Sequence, residues 1–226
     1  MIKAIAFDLD NTLIDFWHFK RETAKAAAQA MVHAGLKAKP AAVADKIFDV
    51  YDEYGVEFEK TIGTVLWDKY HIRDYPFFEK VQQAGIVAYQ KRSFEVMLPY
   101  KDVIPTLDKL KKHYKLFIIS DAPRKKAWKR LHMSGLADYF DEVVTWDDTR
   151  VRKPSKLPFK TLFNLTGLKP SEVLFVGDMP DRDIKGAKKA GMKTAWAKYG
   201  YDEPYKLKEK PDLILKRFRD LLGTLV

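Results

Sequence analysis

The sequence contains no cysteine. That removes thiol nucleophiles, iron–sulfur clusters, thiolate zinc sites and disulfides, and it leaves any chemistry to oxygen and nitrogen groups. No apolar run approaches the length of a membrane span, and the amino-terminal MIKAIAFDLD meets acidic residues too soon for the hydrophobic region of a signal peptide. A cytoplasmic location with no membrane partner is the expectation. The five histidines, His18, His33, His71, His113 and His132, lack H-E-x-x-H spacing, and G-x-x-x-x-G-K-[ST], G-x-G-x-x-G and G-x-S-x-G are all missing. Zinc hydrolase, P-loop NTPase, Rossmann dehydrogenase and serine hydrolase readings lose their main support. Internal repeats and low-complexity tracts are missing as well.

What is present is a chain of 226 residues, 46% apolar, able to bury a sizeable core as one large domain or as a core carrying an insert. Lys+Arg total 41 against 31 for Asp+Glu, a net charge of +10, which suits anions from nucleic acid down to small phosphate esters. The two signs are mixed along the chain, without a long basic block or an RNP-like pattern, so a nucleic-acid partner is not expected. Scarce Asn and Gln beside abundant Lys and Glu resemble a heat-adapted composition.

Three short apolar runs end in polar residues: Lys3 to Phe7 before Asp8, Leu116 to Ile119 before Ser120, and Val173 to Val176 before Gly177-Asp178. Their length and flanks favour buried strands. Helical segments follow the second and third, from Pro123 to about Met133 closed by Gly135, and from Asp181 to Ala190 closed by Gly191. Buried strands alternating with helices predict a parallel sheet covered on both faces, with polar strand ends converging on one crevice. The stretch from about Phe16 to Glu95 reads as helix throughout. Ala24, Ala27, Ala28 and Met31 recur at i, i+3, i+4 and i+7, as do Ile47, Val50, Tyr51 and Tyr54, while Gly35, Pro40, Gly55 and Pro76 divide the stretch into about four segments. The pattern is an α-helical bundle over residues 16–96 inserted into an α/β core formed by 1–15 and 97–226. A last strand is expected at Asp212 to Leu215 and a last helix at Arg217 to Leu222.

The chemistry-bearing residues sit at the strand ends. Asp8 and Asp10, two apart with Thr12 following, close a buried strand, where carboxylates need partners or a metal. Asp178, Asp181 and Asp183 close another, an oxygen-only set that suits Mg²⁺; Asp181 is expected to be an N-cap and Asp178 a metal ligand. Ser120 precedes a helix and reads equally as an anion site or an N-cap. One of Arg150, Arg152 and Lys153, ahead of a helix around Leu157–Leu165, is expected to reach the crevice and neutralise a phosphate. The aromatic residues of the insert either pack internally or leave a patch for a homodimer.

In order, Asp8-Leu-Asp10-Asn-Thr12, Ile119-Ser120-Asp121, Arg152-Lys153-Pro154 and Val176-Gly177-Asp178 with Asp183 resemble the four motifs of the haloacid dehalogenase-like hydrolase superfamily. The resemblance implies a Rossmann-like parallel-sheet core with an inserted helical cap of the first type. It further implies a Mg²⁺-dependent phosphatase acting on a small phosphorylated metabolite, such as a triose phosphate or phosphoglycolate. Asp8 would be the nucleophile, Asp10 the general acid/base and Lys153 the stabilising cation. Asp178 would hold Mg²⁺ with Asp8 and the Asp10 backbone carbonyl, and Asp183 would orient Lys153 or a metal-bound water. Ser120 would bind the phosphoryl group, with Thr12 and Asp121 beside it; from the insert's place after the first motif, Phe16 and Trp17 either line the substrate's other end beneath a lid or anchor the first insert helix to the core. Asn11 and Asp121 depart from the usual glycine and asparagine, and Asp121 adds a carboxylate that repels an anion. Asp10 argues for phosphoryl transfer rather than dehalogenation. A phosphomutase of the same superfamily, or a catalytically silent binder of anions or nucleic acid, remain alternatives.

Overall fold

A computed structural model describes residues 1–201 and 209–225. The chain divides into two compact units, Met1–Phe16 with Leu98–Val226, and Trp17–Met97. In chain order, β1 (Ala4–Phe7) opens the first unit and is followed by four helical stretches: α1 (Phe16–His33), α2 (Pro40–Tyr54), α3 (Thr61–Thr64) continuing into a wider turn at Val65–Lys69, and α4 (Tyr75–Val96). The core then resumes with α5 (Val103–Leu110), β2 (Lys115–Ile119), α6 (Arg124–Met133), β3 (Glu142–Val144), α7 (Trp146–Thr149) and α8 (Leu157–Thr166). After these come β4 (Val173–Gly177), α9 (Lys185–Lys189), β5 (Lys193–Ala197), β6 (Leu213–Leu215) and α10 (Leu222–Leu225).

The six strands form one sheet, ordered β3-β2-β1-β4-β5-β6, with every neighbouring pair parallel. β1, an uninterrupted apolar run, is wholly buried between β2 and β4, in the register Phe7 to Ile118 and to Val176. Parallel strands covered on both faces need this continuous apolarity. On one face Phe159 of α8 packs edge-on to Phe175 of β4, ring centroids 5.1 Å apart, and burying each ring contributes about 2 kcal/mol. The register brings Asp8, Ser120 and Asp178, each one residue beyond the paired segments, to the same edge of the sheet. No helix among the described residues is long and apolar enough to cross a membrane.

The helical unit has its own core. Ala24, Ala27, Ala28 and Met31 of α1 meet Val43, Ile47, Val50 and Tyr51 of α2, and Phe48, Phe77 and Phe78 pack against them. Tyr54, assigned to that inward face by periodicity, is instead 50% exposed and stacks on Phe58, because α2 ends there and its last turn runs past the core.

Two local expectations are corrected. The helix expected from Pro123 begins at Arg124 with Pro123 as N-cap. The helix expected from Asp181 begins at Pro180 as a wide turn over Pro180–Ile184, so Asp181 lies inside its first turn and Met179 is the N-cap. Two strands went unread, β3 and β5, along with the helix α5. β5 (Lys-Thr-Ala-Trp-Ala) hides a buried threonine that is satisfied from outside the strand, its N–H and hydroxyl both donating to Asp212 Oδ2 at 2.8 Å.

Candidate active site

The Asp8 backbone N–H donates to Val176 O at 2.8 Å, so the first residue past β1 stays in the sheet and its carboxylate stands at the sheet's edge. The chain then turns tightly. Asn11 adopts φ 58°, the left-handed region that asparagine tolerates better than most residues, which explains why it serves where glycine is usual. Leu13 N–H closes on Leu9 O, and Ile14 bridges Pro99, so the two chain crossings to the helical unit start side by side. A loop from the far side presses on this turn: a Cβ at Gly200 would lie 1.7 Å from Asn11 O, and only glycine fits.

Lys153 reaches the same edge from the loop after α7. Thr145 and Asp148 form a reciprocal cap that holds α7, Arg150 reverses the chain at φ 57°, and the Lys153 N–H donates to Asp121 Oδ1 at 2.9 Å. The Lys153 side chain is wholly buried; its Nζ lies 2.5 Å from Asp8 Oδ1 and 2.8 Å from Asp183 Oδ1, and it donates to Ile119 O at 3.0 Å. Burial by itself would push this ammonium's pKa down, but Asp183, Asp8 and Asp121 outweigh it and hold it above the usual lysine range. Arg150 is largely exposed and pairs with Asp147, and Arg152 is exposed, so lysine is the one base of that cluster delivered to the crevice.

Asp183 is fully buried and serves as a strut, its Oδ2 accepting from the Met179 N–H at 2.9 Å while Oδ1 faces Lys153. Asp181, expected as the N-cap, does not fill that place; Met179 does, and its N–H is satisfied by Asp183 from inside the first turns. A Cβ on Gly177 would lie 2.5 Å from the Asp183 Cβ, so glycine at the end of β4 is what lets this carboxylate through. Asp178 is 3% exposed, and the Trp196 indole N–H pins its backbone by donating to Asp178 O at 2.8 Å.

Ser120 is buried, and its hydroxyl accepts from the Ala122 N–H at 3.1 Å, which makes it a turn residue rather than the cap of α6 and leaves its proton available to donate. Asp10 stands one step outward. It lies close enough to Asp8 to raise that carboxyl's pKa, and its own carboxylate is hydrogen-bonded by the Arg130 guanidinium, which sits 4.2 Å over the Phe16 ring. Thr12 is fully buried: its carbonyl accepts from the Tyr199 hydroxyl at 2.7 Å, and its own hydroxyl has no hydrogen-bond partner among the described residues. Trp17 belongs to the helical unit and is 39% exposed.

Asp8, Lys153, Asp178 and Asp183 therefore form one buried group, with Ser120 and Asp121 on the adjoining loop and Asp10 beside it. Sequence reasoning missed Arg130, Arg182 and Trp196. Arg130 carried a readable signal, since Ala127, Arg130, Leu131 and Ser134 recur at i, i+3, i+4 and i+7 and all four are buried. Neither of the other two carried a pattern pointing inward.

One carboxylate oxygen from each of Asp8, Asp178 and Asp183 lies within 4.8 Å of the others. Burial raises the Asp8 pKa to about 7 despite Lys153, with Asp183 and Asp10 adding to the rise. Burial, then Asp183 and Asp8, also raises Asp178 well above the carboxylate range. A buried all-oxygen donor set this short of positive charge fits a hard divalent cation. Asp183 gives Oδ2 to the Met179 N–H and turns Oδ1 to Lys153, while Asp178 has no basic partner among the described residues, and Asp8 and Asp178 are the pair the motif resemblance assigns as ligands.

Residues 2–191 match the family model described as haloacid dehalogenase-like hydrolase. The glyceraldehyde 3-phosphate phosphatase of Methanopyrus kandleri is 34% identical over 99% of this chain and 97% of its own length. The phosphoglycolate phosphatase of Aquifex aeolicus is 33% identical over 98% and 95%. Among solved structures, the HAD-hydrolase YfnB from Bacillus subtilis, bound to magnesium, superposes with a TM-score of 0.73 over 99% of this chain and 98% of that one at 20% identity, a likeness of fold. With the four motif segments meeting at one sheet edge and the family model spanning most of the length, the chain belongs to the haloacid dehalogenase-like hydrolases.

Proposed function

We propose that this protein is a Mg²⁺-dependent phosphatase that hydrolyses a small phosphorylated metabolite, in the class of triose phosphates and phosphoglycolate. The observation that carries the reading is the buried Asp8 carboxylate held 2.5 Å from Lys153, with Asp178 and Asp183 around it. Full-length relatives named as phosphatases of three-carbon and two-carbon phosphates support the substrate class.

Asp8 attacks phosphorus in line, forming an Asp8–O–P bond as the ester P–O bond breaks, and Asp10 gives its proton to the departing alkoxide. Asp10 then takes a proton from water as that water attacks phosphorus, releasing inorganic phosphate and the free Asp8 carboxylate. Lys153 offsets charge on Asp8 and on the phosphoryl oxygens in both steps, and Asp183 keeps its ammonium in place. Ser120 has a hydroxyl proton to donate to a phosphoryl oxygen. Asp8, Asp178 and the Asp10 backbone carbonyl would hold Mg²⁺, which when bound would supply further positive charge to the same oxygens. Arg130, bonded to Asp10, orients that carboxyl toward the leaving-group side.

The test is hydrolysis of an aryl phosphate with Mg²⁺ and again with EDTA, followed by a panel of phosphorylated metabolites. Turnover that requires the metal and is fastest on short sugar or acid phosphates is the expected result. Equal turnover in EDTA, or a preference for folded phosphoproteins, would overturn the reading.

A further inference from the structure

The mechanism above leaves one charged pair beside the site unused. The Asp121 side chain is 13% exposed, its Oδ1 accepts the Lys153 N–H, and its Oδ2 is buried without a hydrogen-bond partner among the described residues. A fixed carboxylate at that place repels any phosphate dianion approaching Asp8. Among the described residues, Arg182 is the cation paired with it: Arg182 Nη1 lies 3.7 Å from Asp121 Oδ2, the Arg182 Nε is likewise buried and without a hydrogen-bond partner, and Asp183 and Asp8 also act on its charge. The two residues come from different segments, the loop after β2 and the wide helical turn after β4, so no local turn explains their meeting. Lys153 is already committed to Asp8 and Asp183, which leaves Arg182 as the nearest charge able to cancel Asp121.

We propose that Arg182 is a positioning residue for the incoming phosphoryl group that acts through Asp121: its guanidinium neutralises the Asp121 carboxylate, so that a doubly charged monoester is admitted beside Lys153. The proposal rests on the phosphatase reading for its substrate, and its consequence for anion binding can be measured without turnover. Asparagine at position 121 keeps the oxygen that accepts the Lys153 N–H while removing the charge, so the dependence of Arg182 on Asp121 is open to direct test.

Binding of inorganic phosphate, measured by calorimetry in Mg²⁺ at low salt, is compared among the unaltered chain, Arg182→Gln, Arg182→Lys and the double variant Arg182→Gln with Asp121→Asn. KM and kcat for an aryl phosphate are measured alongside. Arg182→Gln should weaken phosphate by about tenfold to a hundredfold, the effect of one partly screened unit charge, and should raise KM more than it lowers kcat. Added salt should shrink that loss. Arg182→Lys should retain most of the affinity, and the double variant should return to within about threefold of the unaltered chain. A double variant that binds phosphate normally is by that fact folded. A double variant as weak as Arg182→Gln would place the guanidinium on the phosphate itself and overturn the proposal, as would normal binding by Arg182→Gln or no phosphate binding by the unaltered chain. If no ester is hydrolysed while the phosphate titrations follow the expected order, the functional reading fails and this pairing stands.

Discussion

Replacing Lys153 by methionine keeps the length and apolar body of the side chain and removes one charge. Its ammonium sits 2.5 Å from Asp8 and 2.8 Å from Asp183 with no exposure to solvent. At an effective dielectric of about 20, each contact is worth about 6 kcal/mol as an upper bound. The ammonium's desolvation cost, recovered on deletion, offsets part of that, and one-sided loss of a buried ion pair costs about 3–5 kcal/mol. Applied to the barrier, at about 1.4 kcal/mol per decade, this is a fall in kcat/KM of roughly a hundredfold to several thousandfold. Applied to the fold, the lower figure with roughly 2–4 °C per kcal/mol for a chain of this size gives an apparent Tm lower by about 6–12 °C in EDTA. Mg²⁺ should restore part of the Tm and little of the activity, because it returns charge to the carboxylates but not the hydrogen bonds of the ammonium. The assays are aryl phosphate hydrolysis and thermal unfolding with and without the metal. Arg150→Ala and Arg152→Ala, at exposed positions of the same loop, should change both readouts little. A loss of activity below tenfold in Lys153→Met, or a larger loss in either arginine variant, would refute the assignment of the cation.

Asp8→Asn should remove turnover while leaving the melting temperature close to that of the unaltered chain, because Lys153 keeps Asp183 as a partner and the lost charge is one that burial and neighbouring carboxylates already disfavour; residual phosphatase activity would exclude Asp8 as the nucleophile. Gly177→Ala should drive its Cβ into the Asp183 side chain, costing about 1–3 kcal/mol in denaturant unfolding and lowering kcat/KM through displacement of Asp183 from Lys153. In the helical unit, hydrogen bonds from Arg92, then Lys25, lower the Glu22 pKa from 4.5 to about 2. A depressed carboxylate stabilises the fold above its unfolded value and loses that contribution as pH falls through the folded one. Because the pair is partly exposed, Glu22→Gln should cost under about 1 kcal/mol at neutral pH, and its melting curve should merge with that of the unaltered chain between pH 4.5 and about 2. A difference that persisted below pH 2 would show that the ion pair is not its source.

The parallel sheet was legible because burial on both faces leaves strands such as Ala4–Phe7 and Val173–Gly177 no room for alternation, and their apolar runs stop where the crevice begins. The helical insert was legible for the opposite reason: one wet face and one dry face write a 3.6-residue period. What escaped notice were short elements whose polar groups are satisfied from elsewhere in the fold. Thr194 in β5 reads as a break in a strand until Asp212, eighteen residues on, accepts from both its N–H and its hydroxyl. Asp183 stands against Lys153 as the resemblance implied, but Asp181 was misread as the N-cap for a related reason. Both are acidic residues near a helix start, and only the opening of that helix at Pro180 as a wide turn turns Asp183 inward onto Met179 and Lys153.

The site itself divides along the same line. Residues whose role follows from ending a buried strand, Asp8, Ser120 and Asp178, stood where the strand ends put them. Among the residues that balance charge, Lys153 was reached through the motif resemblance, while Arg130 and Arg182 were missed, because charge balance is a sum over segments far apart in sequence. Asp8, Asp10, Asp121, Asp178 and Asp183 outnumber Lys153, Arg130 and Arg182, and the deficit is visible in the raised pKa values of Asp8 and Asp178. A carboxylate near neutrality is a poor resting nucleophile, so a site short of positive charge gains reactivity from whatever supplies it. The three basic residues answer that demand at different places, Lys153 at Asp8, Arg130 at Asp10 and Arg182 at Asp121, and under the proposed function a divalent cation would add to them. Removing any one of them should therefore shift a different kinetic parameter, and that separation gives each assignment its own means of failing.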